Sequence, residues 1–130
     1  MADGLSVGRA NAILDNELAS VYVQLHTGDP GAAGTANVSA GDSTRKQVTH
    51  NSASGGSASM DTFSGEWTNS DGLERITHVS FWTAATSGTF IASKALPADP
   101  DNPPLLGREW AETDTLKLSA NTWSVSPIAS

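Results

Sequence analysis

The chain has no cysteine. It therefore has no disulfide framework, no thiolate metal site and no cysteine nucleophile. It is also poor in positive charge, with seven Lys and Arg against fourteen acids and a net charge of −7. A nucleic-acid binder needs a basic stripe to neutralise phosphates. Here Arg9, Arg45, Lys46, Arg75, Lys94, Arg108 and Lys117 are scattered, with one adjacent pair. Direct nucleic-acid binding is not expected, nor is an anionic membrane partner. No apolar run approaches the roughly 20 residues that span a bilayer. Met1-Ala2-Asp3-Gly4 lacks the basic and apolar regions of a secretory leader, so synthesis in a cytoplasm is expected. Charged residues make up only 16% of the chain, and Ala, Ser, Thr and Gly fill the space. Small and β-branched residues suit strands and tight loops better than long helices.

At 130 residues the chain suits one domain. A chain of that size buries roughly two-thirds of its unfolded surface, enough for a core without metals. Residues 6 to 18 read as the one good helix. Ser6 is its N-cap, and Val7, Ala10, Ile13, Leu14 and Leu18 recur at helical spacing. Alone in water so short a helix is marginal, so it must dock on its own sheet or a neighbour.

About eight strand candidates follow. They are Val21 to Thr27, Arg45 to Asn51, Ser57 to Thr62, Glu66 to Thr68, Ile76 to Thr83, Thr89 to Ala95, Thr115 to Ser119 and Thr122 to Ser126. Short strands divided by Gly- and Ser-rich turns predict a mainly β fold. The expected form is an antiparallel β-sandwich, jelly-roll or Ig-like, with a short N-terminal helix. The expected division is an N-terminal arm and docking helix, 1–18, and a single β-sandwich domain, 19–130.

Three segments do not read as strands. Leu25-His26-Thr27-Gly28-Asp29-Pro30-Gly31 ends the first strand and opens a loop that runs to residue 44. Gly tolerates positive φ, Pro fixes φ and Asp caps its own backbone, so this is strong turn chemistry. Ser52-Ala53-Ser54-Gly55-Gly56 reads as a turn between antiparallel strands. Residues 97–109 carry Pro97, Pro100, Pro103 and Pro104 and read as a rigid, extended excursion, since proline cannot donate to a sheet. Long loops in compact domains are usually functional or partner-bound. The two loops therefore read as docking arms, with His26 and Asp29 as the hinge of the first. The candidate docking residues are Ile13, Leu14, Leu18, Asp29, Pro30, Pro103, Leu105 and Leu106.

Reactive chemistry finds little support. His26, His50 and His78 stand apart, in no His-x-His or Glu-x-x-His spacing. Asp99-Pro100-Asp101-Asn102 opens like a calcium loop, but Pro104 replaces the sixth-position Gly and Trp110 the twelfth-position Glu. Ser54-Gly55-Gly56-Ser57 is followed by no Gly-Lys-Ser/Thr. There is no Gly-x-Ser-x-Gly elbow. Glu66-Trp67 and Glu109-Trp110 place two carboxylates beside two tryptophans, an arrangement a glycosidase could use. Two plainer readings compete: Trp67 and Trp110 as exposed glycan-stacking or interface aromatics, and Trp67 and Trp110 as bulk for a small-residue core. No metal, no cofactor and no enzymatic activity are expected.

Several stretches carry a resemblance. They are Ala10-Asn11-Ala12-Ile13-Leu14-Asp15, the Leu25–Gly31 segment, and Thr44-Arg45-Lys46-Gln47-Val48-Thr49 leading to Ser52–Ser57. Glu66-Trp67, Ile76-Thr77-His78-Val79-Ser80-Phe81-Trp82, Gly88-Thr89-Phe90 and Val125-Ser126-Pro127-Ile128-Ala129 complete the set. In this order the chain resembles small virion structural proteins of siphophages of Mycobacterium and its relatives. Members of that group are labelled head-decoration, minor tail or tail-fibre-like proteins. The segment 97–109 is longer and richer in proline than the resemblance implies. The resemblance implies a non-enzymatic virion protein assembled in the host bacterial cytoplasm. Its first expected role is decoration of the capsid exterior. The alternative is a minor tail or fibre-associated protein contacting host glycan. Its expected partners are major capsid or tail proteins and further copies of itself, with a trimer as one candidate.

Overall fold

The computed structural model describes residues 6–18, 21–60, 65–99, 105–117 and 122–124. The chain is mainly β, with antiparallel pairings and one short N-terminal helix, consistent with the expected sandwich class. Two compact units emerge. The first comprises Met1–Val21, Val48–Ser64 and Leu118–Ser130; the second comprises Tyr22–Gln47 and Gly65–Lys117.

In the first unit, helix α1 spans Val7–Glu17. The Ser6 hydroxyl accepts a hydrogen bond from the Arg9 N–H, the expected cap. Ala10, Leu14 and Leu18 are buried at i, i+4, i+8, whereas Ile13 is exposed. The buried stripe is thus narrower than the sequence periodicity. The helix is tied to the turn that follows residue 52. Ala53 N–H donates to Asp15 Oδ1 at 2.8 Å, and Gly56 N–H donates to Asn11 Oδ1 at 2.9 Å. That turn closes between Ser54 and Ser57, with Gly55 at φ 59° and Gly56 at φ 81°. Positive φ at both central positions is the tight hairpin turn that matches strand twist. Strand β3, Ser57–Ser59, leaves it and pairs with β10, Thr122–Ser124.

The second unit is built on a sheet ordered β2-β1-β6-β7, from Lys46–Val48, Val21–His26, His78–Trp82 and Phe90–Ala95. Strand ends at Val21 and Val48 belong to the first unit. The register Val23↔Phe81 and Leu25↔Val79 gives one apolar face. The register Tyr22↔Trp82, Gln24↔Ser80 and His26↔His78 gives a second face that is polar and aromatic. Gln24 and His26 are buried nonetheless. The loop after β1 covers them. Ser43 C=O accepts from Gln24 Nε2, and Ala36 C=O bonds His26 Nδ1, each at 2.8 Å. Thr27 N–H to Asn37 C=O, Ser39 N–H to Leu25 C=O and Ala36 N–H to Pro30 C=O close the loop on itself. Pro30 is fully buried. Residues 28–44 are therefore a lid on the sheet. The reading of this loop as an arm hinged at His26 and Asp29 is corrected: a histidine buried between two partners cannot act as a hinge.

Two short pairings complete the unit. Strand β4, Trp67–Thr68, pairs with β9, Thr115–Leu116; β5, Glu74–Ile76, pairs with β8, Arg108–Trp110. Part of β8 falls in the stretch read as non-strand. Burying Trp67 and Trp110 is worth several kilocalories each: truncating such a side chain costs about 3–5 kcal/mol.

Candidate docking surface

The proline-rich segment doubles back. Ala98 pairs with Leu106, Asp99 N–H donates to Leu105 C=O at 2.7 Å, and Gly107 N–H donates to Pro97 C=O at 2.9 Å. At its described flanks, 97–99 and 105–107, the segment is paired like the base of a hairpin, which corrects the expected extended form there; residues 100–104 lie outside the described residues. Proline has no N–H to donate, and the two backbone hydrogen bonds between these flanks draw their N–H groups from Asp99 and Gly107.

An ion pair anchors the base. Asp99 is buried, 3.0 Å from Arg75 Nη1 and 3.5 Å from Arg108 Nη1. The same Arg75 nitrogen donates to Leu106 C=O at 3.1 Å. Gly107, at φ 72°, lies so close to β5 that a Cβ there would run into the Ile76 carbonyl oxygen. Both flanks of the segment are thus anchored, while Leu105 and Leu106 are 52% and 38% exposed.

The candidate residues divide. Ile13, Asp29, Leu105 and Leu106 are exposed; Leu14, Leu18 and Pro30 are buried; Pro103 lies outside the described residues. The Asp29 carboxylate accepts from Gly31 N–H at 2.8 Å and closes the local turn. Trp67 and Trp110 are 0% and 3% exposed. Trp67 Nε1 donates to Thr44 C=O and Trp110 Nε1 to Glu74 Oε1, each at 3.0 Å. Their rings belong to the core of the second unit and offer no face on which a sugar could stack.

Two polar clusters organise the unit. Glu74 receives hydrogen bonds from the Ser39 hydroxyl, the Ala40 and Gly41 N–H groups and the Trp110 indole. Burial alone would raise its carboxyl, but these donors outweigh burial and hold it below the usual range. The second cluster runs along the polar sheet face. Trp82 Nε1 donates to Ser80 Oγ at 2.7 Å, and Ser80 Oγ lies 2.6 Å from His26 Nε2. The Ala36 carbonyl can only accept, so Nδ1 carries the His26 proton and Nε2 accepts from the Ser80 hydroxyl. Every group is satisfied by a neutral imidazole. Burial is the largest effect and lowers the His26 pKa; the backbone hydrogen bonds at Ala36 and Asn37 oppose it, and the charges of His78 and, less, Arg45 add to it.

Arg45 covers the other end. Its guanidinium carbon is 3.8 Å from the Trp82 ring centroid, and Nη1 donates to Ala84 C=O and Ser87 C=O. Neither this stack nor the Arg75–Asp99 pair was found from sequence. Partners 24 to 42 residues apart leave no spacing signal along the chain.

Among the described residues no group of three His, Asp or Glu is placed to hold a metal ion. None of their helices is long and apolar enough to cross a membrane. Residues 9–126 match the family described as Podophage GP4 fiber I protein gp80. No curated protein matches the chain.

Proposed function

The chain belongs to the Podophage GP4 fiber I protein gp80 family, and from that premise we propose that it is a fibre-associated component that docks on other virion proteins through the projection at 97–107. Family membership makes it a structural protein of the phage particle. It carries that coarser half of the resemblance, and does not carry a siphophage of Mycobacterium as its source. Decoration of the capsid exterior is the competing placement. The family's description as a fibre protein favours the fibre, which was the alternative role read from sequence.

The observation that supports the docking role is the pairing of exposed Leu105 and Leu106 with the clamped base of Asp99, Arg75 and Gly107. Apolar groups held on an ordered scaffold lose little further entropy on binding. We propose the N-terminal segment as a second docking element, with Ile13 as its exposed apolar group. A homo-oligomer belongs to the same proposal, because Leu73 is 68% exposed and subunit contact would cover it.

The test is a Leu105→Ser/Leu106→Ser double variant supplied to a phage that lacks its own copy. The isolated variant should melt within a few degrees of the parent, since both side chains are exposed. Purified particles should lack it. Normal incorporation of the variant would remove the projection from the docking role.

A further inference from the structure

Two titratable side chains fasten one loop. The loop 28–44 is held at Ala36 by His26 and at Ser39 and Ala40 by Glu74. His26 Nδ1–H donates to Ala36 C=O, and Nε2 accepts from the Ser80 hydroxyl on β6. Glu74, on β5, accepts from the Ser39 hydroxyl and from Ala40 and Gly41 N–H. The far end of the loop is held by neutral groups. Gln24 Nε2 donates to Ser43 C=O, Trp67 Nε1 to Thr44 C=O and Ser70 N–H to Gly41 C=O. These bonds do not titrate, so residues 41–44 stay attached in acid. The loop also lies close on the sheet, since a Cβ on Gly34 would run into the Phe90 ring. Beneath it Gln24 and His26 are buried.

Protonation undoes both fastenings. A charged His26 carries N–H on both ring nitrogens. Ser80 Oγ already accepts Trp82 Nε1–H, and taking Nε2–H as well strips its own proton of the acceptor it now has. Ser80 is fully buried, where an unsatisfied donor is costly. The charges that face the ring are His78, opposite it on β6, and Arg45, and both disfavour an imidazolium. No carboxylate among the described residues pairs with it. Glu74 meets donors alone: Ser39, Ala40 and Gly41 from the loop and the Trp110 indole from β8. A protonated carboxyl there gives up charge-assisted bonds and adds a donor facing donors. Its charged neighbours are otherwise engaged. Arg75 and Arg108 hold Asp99, Glu109 stands opposite Arg75, and Asp42 accepts from Thr44 and Thr68. We propose that the loop 28–44 is an acid-released lid: protonation of His26 frees it at Ala36, protonation of Glu74 then frees it at Ser39 and Ala40, and it lifts about 41–44 to bare the Gln24–His26 face while the rest of the second unit stays folded. The order follows from the two windows. Burial holds the His26 pKa below 6.5, so its fastening is complete above 6.5 and is lost as pH falls through the lowered value. The Glu74 donors outweigh burial and hold its pKa below 4.5, so its fastening is lost later.

The test is hydrogen exchange of the full, ¹⁵N-labelled chain by NMR from pH 8 to pH 3, each rate divided by the intrinsic rate at that pH. Thr27 N–H, bonded to Asn37 C=O, and the Trp82 indole report the first fastening; Ser39 N–H, bonded to Leu25 C=O, reports the second. Leu96 N–H, bonded to Thr77 C=O, and Gly107 N–H, bonded to Pro97 C=O, report the rest of the unit. Thr27 and the Trp82 indole should lose at least about tenfold protection in step with the titration of the His26 ring signals. Ser39 should follow at lower pH, with Leu96 and Gly107 holding within about twofold. His26→Gln should abolish the first step and Glu74→Gln the second, each variant being read against its own value at pH 8. Should either variant fail to fold, the match between the Thr27 step and the His26 titration in the parent chain decides. Loss of protection at Leu96 and Gly107 together with the loop would mean unfolding of the whole unit and overturn the proposal. So would a Thr27 amide that stays protected through the His26 titration.

Discussion

Replacing Asp99 by Ala tests the clamp that presents the projection. Asp99 is 2% exposed and its carboxylate lies 3.0 Å from Arg75 Nη1. At an effective dielectric of about 20, unit charges at that distance attract by about 5 kcal/mol. Removing one partner of a buried pair is measured to cost about 3–5 kcal/mol, because the other charge is left uncompensated. The Arg75 side chain is 19% exposed and keeps its bond to Leu106 C=O, so part of that cost is recovered. The expected loss is about 2–3 kcal/mol. The Arg108 side chain is 53% exposed at 3.5 Å, and screening leaves that arm within about 0.5 kcal/mol. Urea unfolding should show the midpoint falling by roughly 1–2 M with the slope unchanged. A double-mutant cycle of Asp99→Ala with Arg75→Ala should return a coupling of about 1–3 kcal/mol, and the cycle with Arg108→Ala close to none. A loss below about 0.5 kcal/mol for Asp99→Ala, or a larger coupling to Arg108 than to Arg75, would refute the reasoning.

Acid should weaken the fold in two stages. The folded-state pKa of His26 lies below 6.5, so its neutral form is fully stabilising above 6.5 and that stability is lost as pH falls through the lowered value. Glu74 follows, losing its contribution as pH falls from 4.5 through its own depressed value. Urea midpoints measured from pH 8 to pH 3 should show both steps, and His26→Gln should lack only the first. Gly107→Ala should cost at least about 3 kcal/mol, combining a left-handed φ with a Cβ against Ile76 O. Its control, Gly8→Ala on the helix, meets nothing within 4 Å and should stabilise by about 0.5–1 kcal/mol in thermal melts.

Local patterns carried the local structure. Ser6 capped α1 as expected, and the alternation of Val21, Val23 and Leu25 marked the apolar face of β1. Paired glycines at 55 and 56 marked the hairpin turn. What failed was long-range. Arg108-Glu109-Trp110 has one apolar residue and follows a proline-rich stretch, so nothing local identifies it as the partner of Glu74–Ile76. Nothing local marks Gln24 and His26, on the polar face of β1, as buried. Their burial depends on carbonyls of Ser43 and Ala36, well away in the chain. The loop that supplies those carbonyls was legible as a loop but not as a lid. Trp67 and Trp110 were legible as either surface or core. Only the internal acceptors of their indole N–H groups, Thr44 C=O and the Glu74 carboxylate, decide for core.

The central claim is that this chain is a fibre-associated structural protein of a phage particle. The most direct measurement is its location and copy number on intact virions, by immunogold labelling with quantitative mass spectrometry of purified particles. A fibre component forms a small symmetric set, so labelling confined to the tail end with about three to a dozen copies is expected. Hundreds of copies spread over the head would contradict it and make the chain a decoration protein.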